Sequence, residues 1–84
     1  MANRRYKNAP LIHDWEELAK CTSEDYYLVI DLSCCNGSIR RKSDNAYMEY
    51  LSTHTFYGTQ YYASTVTLQK YGFNVRLDNW DKEV

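Results

Sequence analysis

The side chains best suited to metal or nucleophilic chemistry are Cys21, Cys34 and Cys35 with His13 and His54. A structural zinc site takes four tetrahedral ligands, and the spacings C-x-x-C and H-x-x-x-H let one short segment supply two of them. Neither spacing occurs, and adjacent cysteines such as Cys34 and Cys35 rarely hold one tetrahedral ion together. No metal site is therefore expected. A cysteine nucleophile needs a base beside its sulfur and a third group that orients the base. Cys35 and His54 are the least unfavourable pair for that arrangement, while small apolar packing accounts for the cysteines without any chemistry. An odd cysteine count, one adjacent pair and no secretory leader also argue against a disulfide framework.

The carboxylates are scattered as Glu16 with Glu17, Glu24 with Asp25, and Asp78 with Asp81. General acid–base work needs two such groups whose surroundings drive their pKa values apart. These pairs fall at a helix start, in a link and near the C-terminus, where solvated carboxylates are ordinary. Asn36-Gly37-Ser38 has the form of a glycosylation sequon, but a turn explains the Asn-Gly without one. The sequence thus predicts no enzyme and no cofactor.

Binding chemistry has two candidate locations. Arg40-Arg41-Lys42 is the densest basic run, and with Arg4 and Arg5 it offers cations for phosphate contacts. Against a nucleic-acid role stand the formal net charge of −1, from ten Lys+Arg and eleven Asp+Glu, and the use of edge-strand cations to block aggregation. The second location is the stretch between Glu49 and Lys70, which holds no charged residue when His is neutral. It is rich in serine, threonine and aromatic residues, with Tyr50, Phe56, Tyr57, Tyr61 and Tyr62 as interface candidates. Tyrosine supplies large contact area at low entropy cost and is enriched in protein interfaces. The competing reading places these rings in the core with their hydroxyls at its rim.

These groups must be positioned by a short chain. Eighty-four residues make one domain over 1–84, with 1–10 a basic N-terminal arm. A chain of this size buries about 60–65% of its unfolded surface. Composition is 44% hydrophobic and 25% charged, which suits a globular fold, and the 15% aromatic share comes chiefly from nine tyrosines. Asp14 caps a first helix over Trp15 to about Cys21, with Glu17 in the capping-box position. Tyr26 to Ser33 is the strongest strand signal. It runs into Asn36-Gly37, the preferred pair for a two-residue hairpin turn. That turn would place Cys34 opposite Ile39 and Asp31 opposite Lys42, with Leu28, Ile30, Leu32, Cys34 and Ile39 on one face.

Ser43-Asp44-Asn45 supplies caps for a second helix over about 46–53, and Thr59 caps a third that ends at Gly72 in a left-handed C′ position. Phe73 to Asp78 alternates as a strand, Trp80 anchors its end, and 81–84 fray. The expected order is α-β-β-α-α-β. The predicted fold is α+β: a small three-stranded antiparallel or mixed sheet, made of the hairpin and the C-terminal strand, against two or three short helices.

A near-neutral, tyrosine-rich α+β chain of this size is similar in type to accessory proteins of phages and mobile elements, which inhibit by occluding a host protein. The expectation is a cytoplasmic, non-catalytic binding protein. It would act through residues 50–68 on another protein or on a second copy of itself, as an inhibitor or a self-associating module. A small nucleic-acid binder using Arg4, Arg5, Arg40, Arg41 and Lys42 is the alternative. No membrane contact is expected, because no apolar run approaches the roughly 18 residues a span requires.

Overall fold

The computed structural model describes residues 6–58 and 60–77. The chain runs β1 (Leu11–Ile12), α1 (Trp15–Leu18), β2 (Tyr26–Asp31), β3 (Asn36–Arg41), β4 (Tyr47–Leu51), α2 (Gln60–Lys70) and β5 (Arg76–Leu77). Strands β2, β3 and β4 form an antiparallel three-stranded sheet, and β1 pairs with β5 in parallel. The expected α+β class with a three-stranded antiparallel sheet is what the chain adopts. The route to it differs at three places.

The first hairpin does not turn at Asn36-Gly37. Both residues lie in β3, with Asn36 opposite Asp31 and Gly37 opposite Ile30, so Leu32 to Cys35 make the loop. Asp31 organises it by accepting hydrogen bonds from the Ser33 amide (3.0 Å), the Ser33 hydroxyl (2.6 Å) and the Cys34 amide (3.3 Å). Cys35 takes the left-handed backbone position, φ 54°. Gly37 serves another purpose. A Cβ there would stand 2.6 Å from Ile30 Cδ1 and 2.9 Å from the Val29 carbonyl oxygen, so the missing side chain is space that Ile30 fills. The expected Cys34–Ile39 and Asp31–Lys42 pairings are replaced by Leu28–Ile39 and Asp31–Asn36. Leu28, Ile30 and Ile39 still share a face, because the slip is an even number of residues. Leu32 and Cys34 leave that face and are exposed in the loop.

Second, residues 46–53 form no helix, and Tyr47–Leu51 within them is a strand. Tyr47, Tyr50 and Leu51 fit a helical stripe, but β3 has a second edge that needs a partner, and β4 supplies it. The connection is a tight turn in which Asn45 has φ 63°. The Arg41 amide donates to the Ala46 carbonyl (2.9 Å), and Arg41 grips Asp44 with two bonds of 2.9 and 2.8 Å. Ser43-Asp44-Asn45 is thus turn chemistry, a role these residue types fill as readily as a cap. One irregularity follows: Ile39 faces Glu49 while Arg40 faces Tyr47, leaving Met48 as the extra residue of a bulge.

Third, the C-terminal strand does not extend the hairpin. Its described part, Arg76–Leu77, pairs with Leu11–Ile12. Residues 6–10 are drawn into the same structure. Tyr6 and Ala9 are buried, and Arg76 donates to the carbonyls of Ala9 (Nε, 2.7 Å) and Pro10 (backbone amide, 2.9 Å). The alternation from Phe73 holds, with Phe73, Val75 and Leu77 buried and Asn74 exposed. Arg4 and Arg5, the Thr59 cap, the Trp80 anchor and the 81–84 tail lie outside the described residues.

The helices behave as their end signals indicate. Asp14 caps α1 by accepting from the Glu17 amide at 2.9 Å. The helix stops at Leu18, short of Cys21, because the next amides bond three residues back: Lys20 to Glu17 and Cys21 to Leu18. Helix α2 ends in a Schellman motif. Gly72 has φ 84°, its amide donates to the Gln69 carbonyl (3.0 Å), and the Phe73 amide donates to the Leu68 carbonyl (3.0 Å). The core gathers Ile39 and Leu51 from the sheet, Trp15 and Leu18 from α1, Leu68 from α2, and the 73–77 segment. The sheet therefore has one covered face and one open face.

Candidate binding surface

The open face of the sheet is aromatic. Alternation sends Tyr27 and Val29 of β2, Ser38 and Arg40 of β3, and Tyr47 and Tyr50 of β4 to the side away from Ile39 and Leu51. Cross-strand register sets them in two rows, Val29–Ser38–Tyr50 and Tyr27–Arg40–Tyr47. Tyr47 is 55% exposed, Tyr50 54% and Val29 46%. The Arg40 guanidinium lies 5.9 Å from the centroid of the Tyr47 ring, within cation–π range. Its Nη1 also donates to the Asn45 carbonyl at 3.3 Å, and the Tyr27 hydroxyl donates to Asn45 Oδ1.

From Tyr50 this surface turns the corner onto the uncharged segment. Tyr50, Ser52, Thr55, Gln60, Ala63 and Thr67 line a shallow cleft of about 130 Å³ between the end of β4 and α2. Beside it, Tyr57 is 63% exposed and meets the His54 ring edge to face at 6.2 Å between centroids. Tyr61 and Tyr62 are half-buried. Phe56 is a correction: at 8% exposure it belongs to the core, wedged edge-on between Trp15 (5.4 Å) and Tyr61 (6.1 Å). Its short loop must plug the gap left beside α1, and a hydroxyl-free ring does so without an unpaired polar atom.

The absence of charge from 50 to 69 has a structural cause as well. Thr55, Ser64, Thr65 and Gln69 are buried. Three of them hold backbone groups: Thr55 Oγ1 donates to the Ser52 carbonyl (2.8 Å), Thr65 Oγ1 accepts from the Leu77 amide (3.1 Å), and Gln69 Nε2 donates to the Val75 carbonyl (3.0 Å). Buried neutral groups can be satisfied this way, whereas a buried charge at the same positions would need a counter-charge. The segment is core on one side and tyrosine surface on the other.

The basic triplet is split three ways. Arg40 lies on the open sheet face, and Arg41 is engaged by Asp44. Lys42 Nζ donates to the Ser23 carbonyl at 2.9 Å. The Arg41 bond, reinforced by the Ala46 amide, holds the Asp44 carboxyl down to about 2. Hydrogen bonds from Ser33 and then Cys34 lower Asp31 likewise. Elsewhere burial, then the Glu17 carboxylate, raises the Cys21 thiol, and burial, then Glu49, raises the Tyr71 phenol.

The thiol–imidazole pair is not assembled. Cys35 sits exposed in the loop with its thiol toward the Leu32 carbonyl (3.6 Å), while His54 faces Tyr57. Among the described residues there is no group of three or more His, Cys, Asp or Glu side chains placed to hold a metal ion, and no helix long and apolar enough to cross a membrane. Two clefts, a mainly polar one of about 380 Å³ and a mixed one of about 460 Å³, flank the Glu24–Tyr26 segment.

Tyr27, Val29 and Tyr47 complete the surface and were not among the sequence candidates. For Tyr27 and Val29 the signal is the period of two in β2, which packs the half-buried Leu28 and Ile30 against the core and turns Tyr27 and Val29 to the other side. Tyr47 was masked by the helical stripe it shares with Tyr50 and Leu51. Compared with protein-family models, curated proteins and solved structures, the chain matches none.

Proposed function

We propose that this chain is a non-catalytic protein-binding domain. Its contact surface runs from the open sheet face, through Tyr50, to Tyr57 and the Gln60–Ala63–Thr67 side of α2. The observation that carries this reading is the exposure of Tyr47, Tyr50 and Tyr57 at 55, 54 and 63% around an uncharged cleft. Rigid amphipathic rings with few charges among them are the composition of interface centres, and an arginine stacked on tyrosine is a common member of such centres. The action is occlusion of a protein partner or self-association. Three free cysteines favour a reducing compartment such as the cytoplasm.

The test is affinity capture from the source cell with the parent chain and a Tyr50→Ala/Tyr57→Ala double variant. Both positions are solvent-facing, so the double variant keeps the parent melting temperature. Capture of a defined partner by the parent and its loss in the double variant is the expected result. Equal capture by both chains ends the proposal.

One observation favours nucleic acid as the second reading: Arg40 over Tyr47, beside Tyr27, is a combination on which a base can stack. Phosphate neutralisation requires more cations, and Arg41 and Lys42 are directed elsewhere. Single-stranded DNA or RNA binding that weakens steeply with salt would favour this reading over the first.

A further inference from the structure

Among the described residues, strand β2 is a sheet edge with no strand paired on its outer side. In an antiparallel pair, residues alternate between exchanging both hydrogen bonds with the neighbour and directing their backbone groups away from it. The Lys42 amide donates to the Asp25 carbonyl (2.9 Å), which places Asp25, Tyr27, Val29 and Asp31 in the bonded set. Tyr26, Leu28 and Ile30 therefore direct their amides and carbonyls outward, and among the described residues none of these groups has a hydrogen-bond partner. Natural edges of this kind are blunted by lysine, proline or a bulge. The segment Tyr26–Asp31 contains neither residue, and the one bulge of the sheet lies between β3 and β4. The same edge leaves Val29 46% and Leu32 53% exposed.

We propose that β2 pairs antiparallel with β2 of a second copy, joining two three-stranded sheets into one of six strands. Two-fold symmetry and the outward positions allow a small set of registers, and charge chooses among them. A register centred on Leu28 sets Asp31 opposite the partner's Asp25, a like-charge pair that opposes association. A register centred on Val29 sets Val29 against the partner's Val29, Leu28 against the partner's Ile30, and Asp31 against the partner's Tyr27. It also brings Leu32 to the partner's Tyr26, so both exposed aliphatic residues of this edge gain apolar neighbours. The axis stands perpendicular to the sheet, so the two open faces look the same way and their tyrosine surfaces become continuous. The pairing uses backbone and aliphatic groups, and it stands whether or not the tyrosine surface captures another protein.

The experiment takes the full chain across a wide concentration range, with mass by sedimentation and amide exchange by NMR. The expected result is a doubling of mass as concentration rises, with slowed exchange at the Leu28 and Ile30 amides in the same range. Val29→Lys and Val29→Asp, at a half-exposed site, each remain monomeric, and mixing the two restores a one-to-one dimer. A chain that stays monomeric overturns the proposal. So does a dimer whose Leu28 and Ile30 amides exchange as fast as in the dilute chain, since it would use another surface. Should the Val29 variants fail to fold, the parent exchange data decide alone.

Discussion

Gly37 lies directly opposite Ile30, and the Ile30 side chain occupies the place where any Cβ at residue 37 would stand, 2.6 Å from its Cδ1. Replacing Gly37 by alanine must displace both this methyl and the Val29 carbonyl oxygen at 2.9 Å. Gly37→Ala is expected to cost about 1–3 kcal/mol, the range for overpacking. The cost should shrink, without vanishing, in an Ile30→Ala background, because the backbone contact remains. Chemical denaturation of the two single variants and the double variant measures this coupling. Additive costs would show that the contact is not the cause.

Thr65 is fully buried, and its hydroxyl oxygen receives the Leu77 amide at 3.1 Å. Thr65→Val keeps the shape and removes the acceptor, leaving a buried N–H unsatisfied at about 1–3 kcal/mol. Thr67 bonds to the Ala63 carbonyl from the outer side of the same helix. Thr67→Val should change stability by less than about 0.5 kcal/mol, as surface substitutions do. Equal effects of the two in thermal denaturation would refute the stated role of Thr65.

Gly72 and Gly58 both have left-handed backbone, φ 84° and 59°. A Cβ at Gly58 meets nothing within 4 Å, whereas one at Gly72 stands 2.9 Å from Ser23 Oγ. Alanine at either site carries the left-handed penalty of about 1–2 kcal/mol. Gly72→Ala should cost more than Gly58→Ala, because Ser23 must also move from its 2.7 Å bond to the Tyr71 carbonyl. Paired melting curves give the order directly, and the reverse order would count against this contact.

Acid and alkali should act at different places. The Asp44 carboxyl titrates at about 2 in the folded chain, so its favourable contribution is complete above the ordinary carboxylate range and is lost as pH falls toward 2. The site is exposed, so the effect is small and is erased by Asp44→Asn. At the other end, Cys21 and Tyr71 ionise less readily when folded than the ordinary 9.0 and 10.0. The folded chain then holds more protons, and stability falls as pH rises through that region. Cys21→Ala should flatten the first part of the alkaline decline in a stability–pH series.

The contrast between helix ends and strand partners explains how much of this fold was legible in the residues. Asp14 and Gly72 act on backbone groups three to five positions away, so their roles follow from local order. Which strand lies beside which is decided by distant surfaces. Asn36-Gly37 is a sound turn signal locally, yet the chain uses the glycine to seat Ile30 and centres its turn three residues earlier, in the Leu32–Cys35 loop that Asp31 organises. Tyr47, Tyr50 and Leu51 satisfied a helical period, but the free edge of β3 was worth more to the chain than that helix. The candidate surface was half legible for the same reason. Tyr50 and Tyr57 stood out by composition, whereas Tyr27, Val29 and Tyr47 join them only once the register of β2–β3–β4 is known. Phe56 shared their composition and went to the core, because burial depends on the gap beside Trp15.

The parallel pairing of β1 with β5 has a consequence for how the protein is made. Leu11–Ile12 is synthesised before its partner Arg76–Leu77, which follows some sixty-five residues later, the difference between positions 11 and 76. Thr65 and Gln69 wait for the same late segment to satisfy their side chains. The three-stranded sheet and α2 precede residues 73–77 in the chain, and without that segment Leu18, Ile39 and Leu68 lose part of their common core. A chain truncated before Phe73 should therefore be held by chaperones or degraded.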